Sequence, residues 1–403
     1  MTWLAVFLSV FCNSSIFAEH LRIDAAYPGG NVVVAQIAED TVTVRPDLHD
    51  TGMWWFYWNF RVRGAAGRQI EFLFDGKNPI GARGPAVSTD QGISWSWLGM
   101  DTVRDQPIDA SFRFDFPTDA DEVRFAFAIP YQNADLQKFI SPYVRRGQLQ
   151  VEELCRTPQD KPVELLRISP SEGQTRARVL LTARHHACET MASYTLEGLL
   201  AAVLEDDDTG RWLRERIEFL AVPFMDIDGV EAGDQGKNRV PHDHWLDYQG
   251  ESRYASVRAL REYVDRESEA SLRMAIDLHC PFLRETSDAA GSSERVFFMN
   301  SMAPAVEAET KRFQTVLARE LRGPIPYSLR HDLALGMRFN TLEIATPSFL
   351  GWASQLPGIW VATVLEVPYA NADGVEVNPD SARALGRDLA VAMRGYFDNK
   401  FSR

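Results

Sequence analysis

"LTARHHACETMASY", residues Leu181–Tyr194, sets two adjacent histidines just ahead of a glutamate and continues the apolar run "RVLLTA". An unbroken valine- and leucine-rich run fits a strand buried on both faces. The segment that follows, "TMASYTLEGLLAAVL", has the length and composition of a helix. A strand feeding a helix, with imidazoles and a carboxylate at the junction, predicts polar groups at the end of a sheet. Ligands of open α/β sheets enter at such strand ends.

The same grammar repeats downstream of "SPYVRRGQLQ". "RIEFLAVPF", "LRMAIDLHC", "VFFMN" and "VATVLEVPY" read as strands. "ASVRALREYVDRE" and "APAVEAETKRFQTVLAREL" read as helices, and a closing helix is expected from Ser381 to about Phe397. This alternation predicts an α/β unit, a helix-covered mixed β-sheet. Upstream, from about residue 20, turn signals such as "YPGGN", "DGKNP" and "FPTDAD" recur between β-branched and aromatic runs. That spacing predicts a preceding all-β sandwich domain. Its densest run, "MWWFYWNFRV" (Met53–Val62), is core by preference, with a glycan- or peptide-binding face as the alternative. The expected boundaries are 1–18, 19–148 and 149–403.

The chain has 403 residues, 45% hydrophobic and 24% charged, with a net charge of −14. Ordinary globular composition and this length suit two domains. The negative charge excludes a nucleic-acid binder, which needs a basic face. Residues 1–18, "MTWLAVFLSVFCNSSIFA", carry no charged side chain, and their apolar core is followed by small polar residues and an alanine at position 18. They read as a secretory signal cleaved after Ala18, predicting a secreted or periplasmic protein. The apolar run is too short to span a bilayer comfortably, so no integral membrane segment is expected in the mature chain. Beyond it stand Cys155, Cys188 and Cys280, an odd number that writes no disulfide framework. Cys188 and Cys280 read as small buried side chains beside the polar motifs.

Three strand ends carry imidazoles or carboxylates: "ARHHACE", "AIDLHCP" with Asp277 and His279, and "TVLEVPYAN" with Glu366. An H-x-x-E alone is common by chance. Combined with D-x-H and a glutamate on two further strand ends, it predicts a metal site. Catalytic zinc takes three protein ligands of nitrogen or oxygen and leaves one position open. His186 and Glu189 can reach one ion from a tight turn, and His279 completes the set.

In order along the chain, "ARHHACETMAS", "PFMDIDGVEAG", "IDLHCP" and "TVLEVPYANA" resemble the motifs of zinc carboxypeptidases. The likeness is to the cytosolic-carboxypeptidase-like branch. "FAFAIPYQNADLQKFI" is similar to the segment closing that branch's N-terminal domain. The resemblance implies one zinc ion per chain, held by His186, Glu189 and His279. It also implies Glu366 as general base, Asp243 behind the first zinc histidine and Arg239 as the oxyanion cation. His185 is then left to the sheet or to a supporting layer, and Glu343 in "TLE" is a rival base. The family's active-site tyrosine has two unranked candidates, Tyr327 and Tyr369.

One departure bears on substrate. Where the family places an Asn-Arg pair that clamps the terminal carboxylate, this chain has Trp245-Leu246. Neither can form a charge-assisted bond to a carboxylate. Arg284 and Arg338 are the arginines that could replace the clamp. Three readings follow. The first is a zinc metallocarboxypeptidase acting on a peptide or protein C-terminus. The second is a zinc amidohydrolase acting on a cell-wall peptide or acylated amino acid. The third is an inactive zinc protein that binds peptide or glycan.

Overall fold

The computed structural model describes residues 20–53, 55–170, 175–266, 272–284 and 289–402. The N-terminal part builds two five-stranded sheets. One has the spatial order Arg22–Asp24, Asn59–Arg63, Glu122–Ala126, Ala86–Ser88, Ser96–Trp97. The other runs Val33–Ala38, Thr41–Arg45, Gln69–Phe74, Ser111–Asp115, Val103–Arg104. Alternation along "QIEFLF" turns Ile70, Phe72 and Phe74 inward. Phe72 and Phe112 of the second sheet meet Phe125 of the first at ring-centroid distances of 5.3 and 5.2 Å. The two sheets therefore face each other across an aromatic core, as in a sandwich.

The run Met53–Val62 joins this core through Phe56, Tyr57, Trp58 and Phe60, all buried. Among its described residues only the end is strand, which continues one residue further as Asn59–Arg63. The Phe56 and Tyr57 amides donate instead to the side-chain oxygen of Gln235, at 2.6 and 3.2 Å. Trp54 and the leader, residues 1–18, lie outside the described residues.

A seven-stranded mixed sheet follows, in the order Gln150–Arg156, Pro162–Ile168, Ile217–Val222, Ala177–Ala183, Leu272–His279, Val361–Glu366, Phe297–Met299. The four strands from Ile217–Val222 to Val361–Glu366 are mutually parallel, and the outer pairings are antiparallel. Parallel strands point their C-terminal ends to one edge. Ala183 pairs beside Leu278, and His279 beside Glu366. Helix Thr190–Leu204 packs on strands Ala177–Ala183 and Leu272–His279. It is buried almost all round, as its apolar composition requires. The C-terminal helix, Pro379–Phe401, covers it. That helix begins at Pro379 rather than Ser381 because the Asn378 side chain accepts the Ser381 amide at 3.0 Å and proline suits a first helical turn. Among the described residues no helix is long and apolar enough to cross a membrane.

Candidate metal centre

Strand Ala177–Ala183 ends at Arg184, whose φ of 61° bends the chain out of the sheet. The left-handed conformation is costly for a residue with a side chain and must be held by its surroundings. The buried guanidinium of Arg184 does this itself. It donates to the carbonyls of Ala187 (2.9 Å) and Tyr131 (3.0 Å) and to Ser193 Oγ (3.1 Å). The loop so fixed presents His186 and leads to Glu189 at the mouth of helix Thr190–Leu204.

His186 Nδ1 lies 2.9 Å from Glu189 Oε1, and His279 Nδ1 lies 2.8 Å from Glu189 Oε2. The outer ring nitrogens are each held by a second carboxylate. His186 Nε2 is 3.1 Å from Asp243 Oδ1, and His279 Nε2 is 2.6 Å from Asp277 Oδ2. Two imidazoles thus aim the same ring atom at one buried glutamate, with ligand atoms of all three residues within 4.8 Å of one another. Among the described residues Glu189 Oε2 has no aligned hydrogen-bond donor despite its proximity to His279. A buried carboxylate with one oxygen left in this state, facing an oriented imidazole at each oxygen, suits a divalent cation. Without that cation, burial opposes the Glu189 charge, but His279, Lys237 and His186 outweigh it and hold the carboxyl well below its usual range. Burial likewise opposes protonation of His279, while Asp277 and Glu189 hold its pKa well above the ordinary histidine value.

His186, Asp243, His279 and Glu366 line one cavity of about 180 Å³. Glu366 ends the strand beside His279, and its Oε2 has no hydrogen-bond partner among the described residues. Burial raises its pKa above the ordinary glutamate value, against the pull of Lys237 and His279. The rival Glu343 is exposed, on the short helix Leu342–Ala345. Asp243 also accepts the Trp245 amide at 2.9 Å, which fixes the carboxylate that holds His186. Trp245 and Leu246 line the same cavity with Pro281, Phe282, Met299, Phe339 and Ile344, an apolar wall. The two tyrosine candidates lie elsewhere: Tyr327 bonds Asp332, and buried Tyr369 lies 3.2 Å from Cys188 Sγ.

Three arginine assignments change. Arg239 is not at the cavity; its guanidinium is engaged by Asp50, Asp226 and Asp234 at 2.5, 2.6 and 2.7 Å. Those carboxylates draw it into the join between the sandwich and the larger sheet. Arg284 and Arg338 line a neighbouring cavity of about 720 Å³ with Trp55 and Phe56. Arg284 is bound there bidentately by Asp105, at 2.8 Å for each contact. The cation that does line the metal cavity is Lys237, which the sequence reading missed. Its Nζ is 2.8 Å from Glu189 Oε1 and 2.8 Å from the Cys280 carbonyl. Burial opposes the charge, yet Glu189 and Glu366 hold the ammonium above its ordinary pKa. Gly236, at φ 75°, allows this placement. A Cβ there would stand 2.5 Å from the Ala187 amide nitrogen.

Residues 145–279 match the zinc carboxypeptidase family model. The chain is 29% identical to cytosolic carboxypeptidase 3 of Bos taurus over 245 residues, covering 53% of this chain and 24% of that protein. It is 27% identical to cytosolic carboxypeptidase 6 of Caenorhabditis elegans over 294 residues, covering 64% and 62%. The chain thus spans less than two thirds of the length of either relative. A metallo-carboxypeptidase structure from Burkholderia cenocepacia shares the fold, with a TM-score of 0.79 at 21% identity over 94% of this chain and all of that one. The relatives also overturn the expectation of a secreted or periplasmic protein. They are cytosolic carboxypeptidases, and the apolar leader behind that expectation lies outside the described residues. With these motifs and this fold, the chain is similar to zinc carboxypeptidases, and its residues 145–279 match that family's model.

Proposed function

We propose that the chain is a zinc-dependent metallocarboxypeptidase acting on the C-terminal residue of a peptide or protein. Residues 19–148 would form the sandwich unit and 149–403 the catalytic unit. The observation that carries the reading is the gathering of His186, Glu189 and His279 into one ligand group, with His186, His279 and Glu366 lining one cavity. His186, Glu189 and His279 would hold one zinc ion, which when bound supplies a Lewis acid and a water with pKa near 7. Asp243 and Asp277 keep the Nε2 protons in place so that both Nδ1 atoms face inward. Glu366 accepts the water's proton at its unpartnered oxygen and returns it to the leaving nitrogen. Lys237 places a fixed positive charge beside the carbonyl oxygen as that oxygen gains charge.

A second reading is favoured by one observation. Trp245 and Leu246 present apolar area in the cavity, and Lys237 is the one lysine or arginine among its described lining residues. A substrate whose end is amidated or acylated would suit that wall. The test uses matched peptides with free and amidated C-termini, assayed with and without a zinc chelator. The carboxypeptidase reading expects chelator-sensitive release from the free-ended peptide only. Equal release from both peptides favours the amidohydrolase reading.

A further inference from the structure

Behind His279 lies a layer of hydrogen bonds that neither the metal set nor the general base uses. His185 is fully buried and lines no part of the metal cavity. Its Nδ1 is 3.0 Å from Asp277 Oδ1, and its Nε2 is 2.7 Å from the Tyr248 hydroxyl. Thr182 Oγ1 donates to the same Asp277 oxygen at 2.7 Å. The other oxygen, Oδ2, is left to His279 Nε2 at 2.6 Å. With both imidazoles neutral, proton assignment along this chain has one consistent solution. The Tyr248 O–H donates to His185 Nε2, His185 Nδ1–H donates to Asp277, and His279 Nε2–H donates to Asp277. His279 Nδ1 then faces Glu189.

The geometry is over-determined at each link. The His185 and His279 rings are nearly parallel, 5° apart with centroids 5.8 Å apart, each hung on one oxygen of Asp277. Tyr248 is wedged against Phe349 and Trp352 at 5.5 and 5.1 Å, which fixes the direction of its hydroxyl. Its amide donates to the Pro347 carbonyl at 2.9 Å. We infer that His185 and Tyr248 are positioning residues that act through Asp277 to hold His279 in the tautomer and orientation the metal requires. This rests on the zinc reading above. His185, Asp277 and His279 could alternatively gather a second cation, since their ligand atoms also lie within 4.8 Å of one another. The completed hydrogen bonds of that group favour the supporting role.

Zinc affinity of the full chain, measured by competition with a chromophoric chelator, tests the inference without reference to activity. His185→Leu removes the donor to Asp277 and should lower affinity by about 10–100-fold, the range for lost support behind a metal histidine. His185→Asn places an amide N–H near the Nδ1 position and should recover most of that loss. Tyr248→Phe should fall between wild type and His185→Leu. Wild-type affinity in His185→Leu, or no recovery in His185→Asn, overturns the inference, as do two zinc ions per wild-type chain. If the wild type binds no zinc, the metal reading itself fails and this inference with it. That outcome is distinct from one in which wild type binds zinc and His185→Leu binds it equally well.

Discussion

Glu366 and Lys237 face the metal-ligand set from two different segments, and each makes a separable prediction. Glu366→Gln should keep zinc and fold but lower kcat by about 10²–10⁴-fold, the usual cost of a missing general base. Equal activity in that variant, with loss in Glu343→Gln, would reverse the assignment. Lys237→Met should lower kcat/KM by about 10²–10³-fold if the ammonium supports the oxyanion. Arg239→Met should act on stability instead, by about 3–5 kcal/mol in chemical denaturation, because it strands the buried Asp226 carboxylate beside the partly exposed Asp50 and Asp234. A kinetic defect in Arg239→Met with unchanged stability would restore the arginine to the site. His186, Glu189 and His279 were legible because each closes or follows a strand read from its apolar run. Lys237 was not. In "GDQGKNRVP" nothing in the sequence tells which cation faces the cavity, and the choice depends on Gly236 reaching φ 75° against the Ala187 backbone.

At the scale of elements, helices Thr190–Leu204 and Pro379–Phe401 cross at glycines. A Cβ on Gly198 would meet the Arg383 carbonyl oxygen at 2.1 Å, and one on Gly386 the Thr195 carbonyl oxygen at the same distance. Backbone atoms cannot swing aside as a side-chain end can, so the helices must separate. Gly198→Ala should therefore cost about 1–3 kcal/mol in urea unfolding despite alanine's better helix propensity. A gain in stability would contradict the crossing. Both helices were legible from length and apolar content, but their mutual contact was not. Glycine within a helical pattern signals close approach without naming the partner. The strand order was partly legible for the same reason. Strand–helix alternation implied a parallel centre, whereas the antiparallel placement of Pro162–Ile168 and Phe297–Met299 at the flanks rests on pairings between distant segments.

Across the whole molecule, global stability carries a pH signature from a group that does not line the metal cavity. Burial pushes Asp332 up to about 7, although the Phe298 amide (2.9 Å) and the Tyr327 hydroxyl (2.8 Å) favour its charged form. The folded chain therefore binds this proton more tightly than the unfolded chain. The associated stability is complete below the ordinary aspartate pKa and is lost as pH rises through about 7. Asp332→Asn should flatten the fall in Tm between about pH 5 and about pH 8. An unchanged slope would place the titration elsewhere. At this scale composition sets an expectation against a nucleic-acid partner, from a charge of −14. It misled on destination, because an uncharged apolar leader suggested export where the relatives are cytosolic carboxypeptidases.

The most direct measurement is mass spectrometry of a free-ended peptide incubated with zinc-loaded protein, with chelated protein and with Glu366→Gln. The account predicts stepwise loss of single C-terminal residues in the first sample, abolished by the chelator and restored by added zinc, with little or none in the glutamine variant. Cleavage that persists in chelated protein, or cleavage at internal bonds with the C-terminal residue retained, would contradict it.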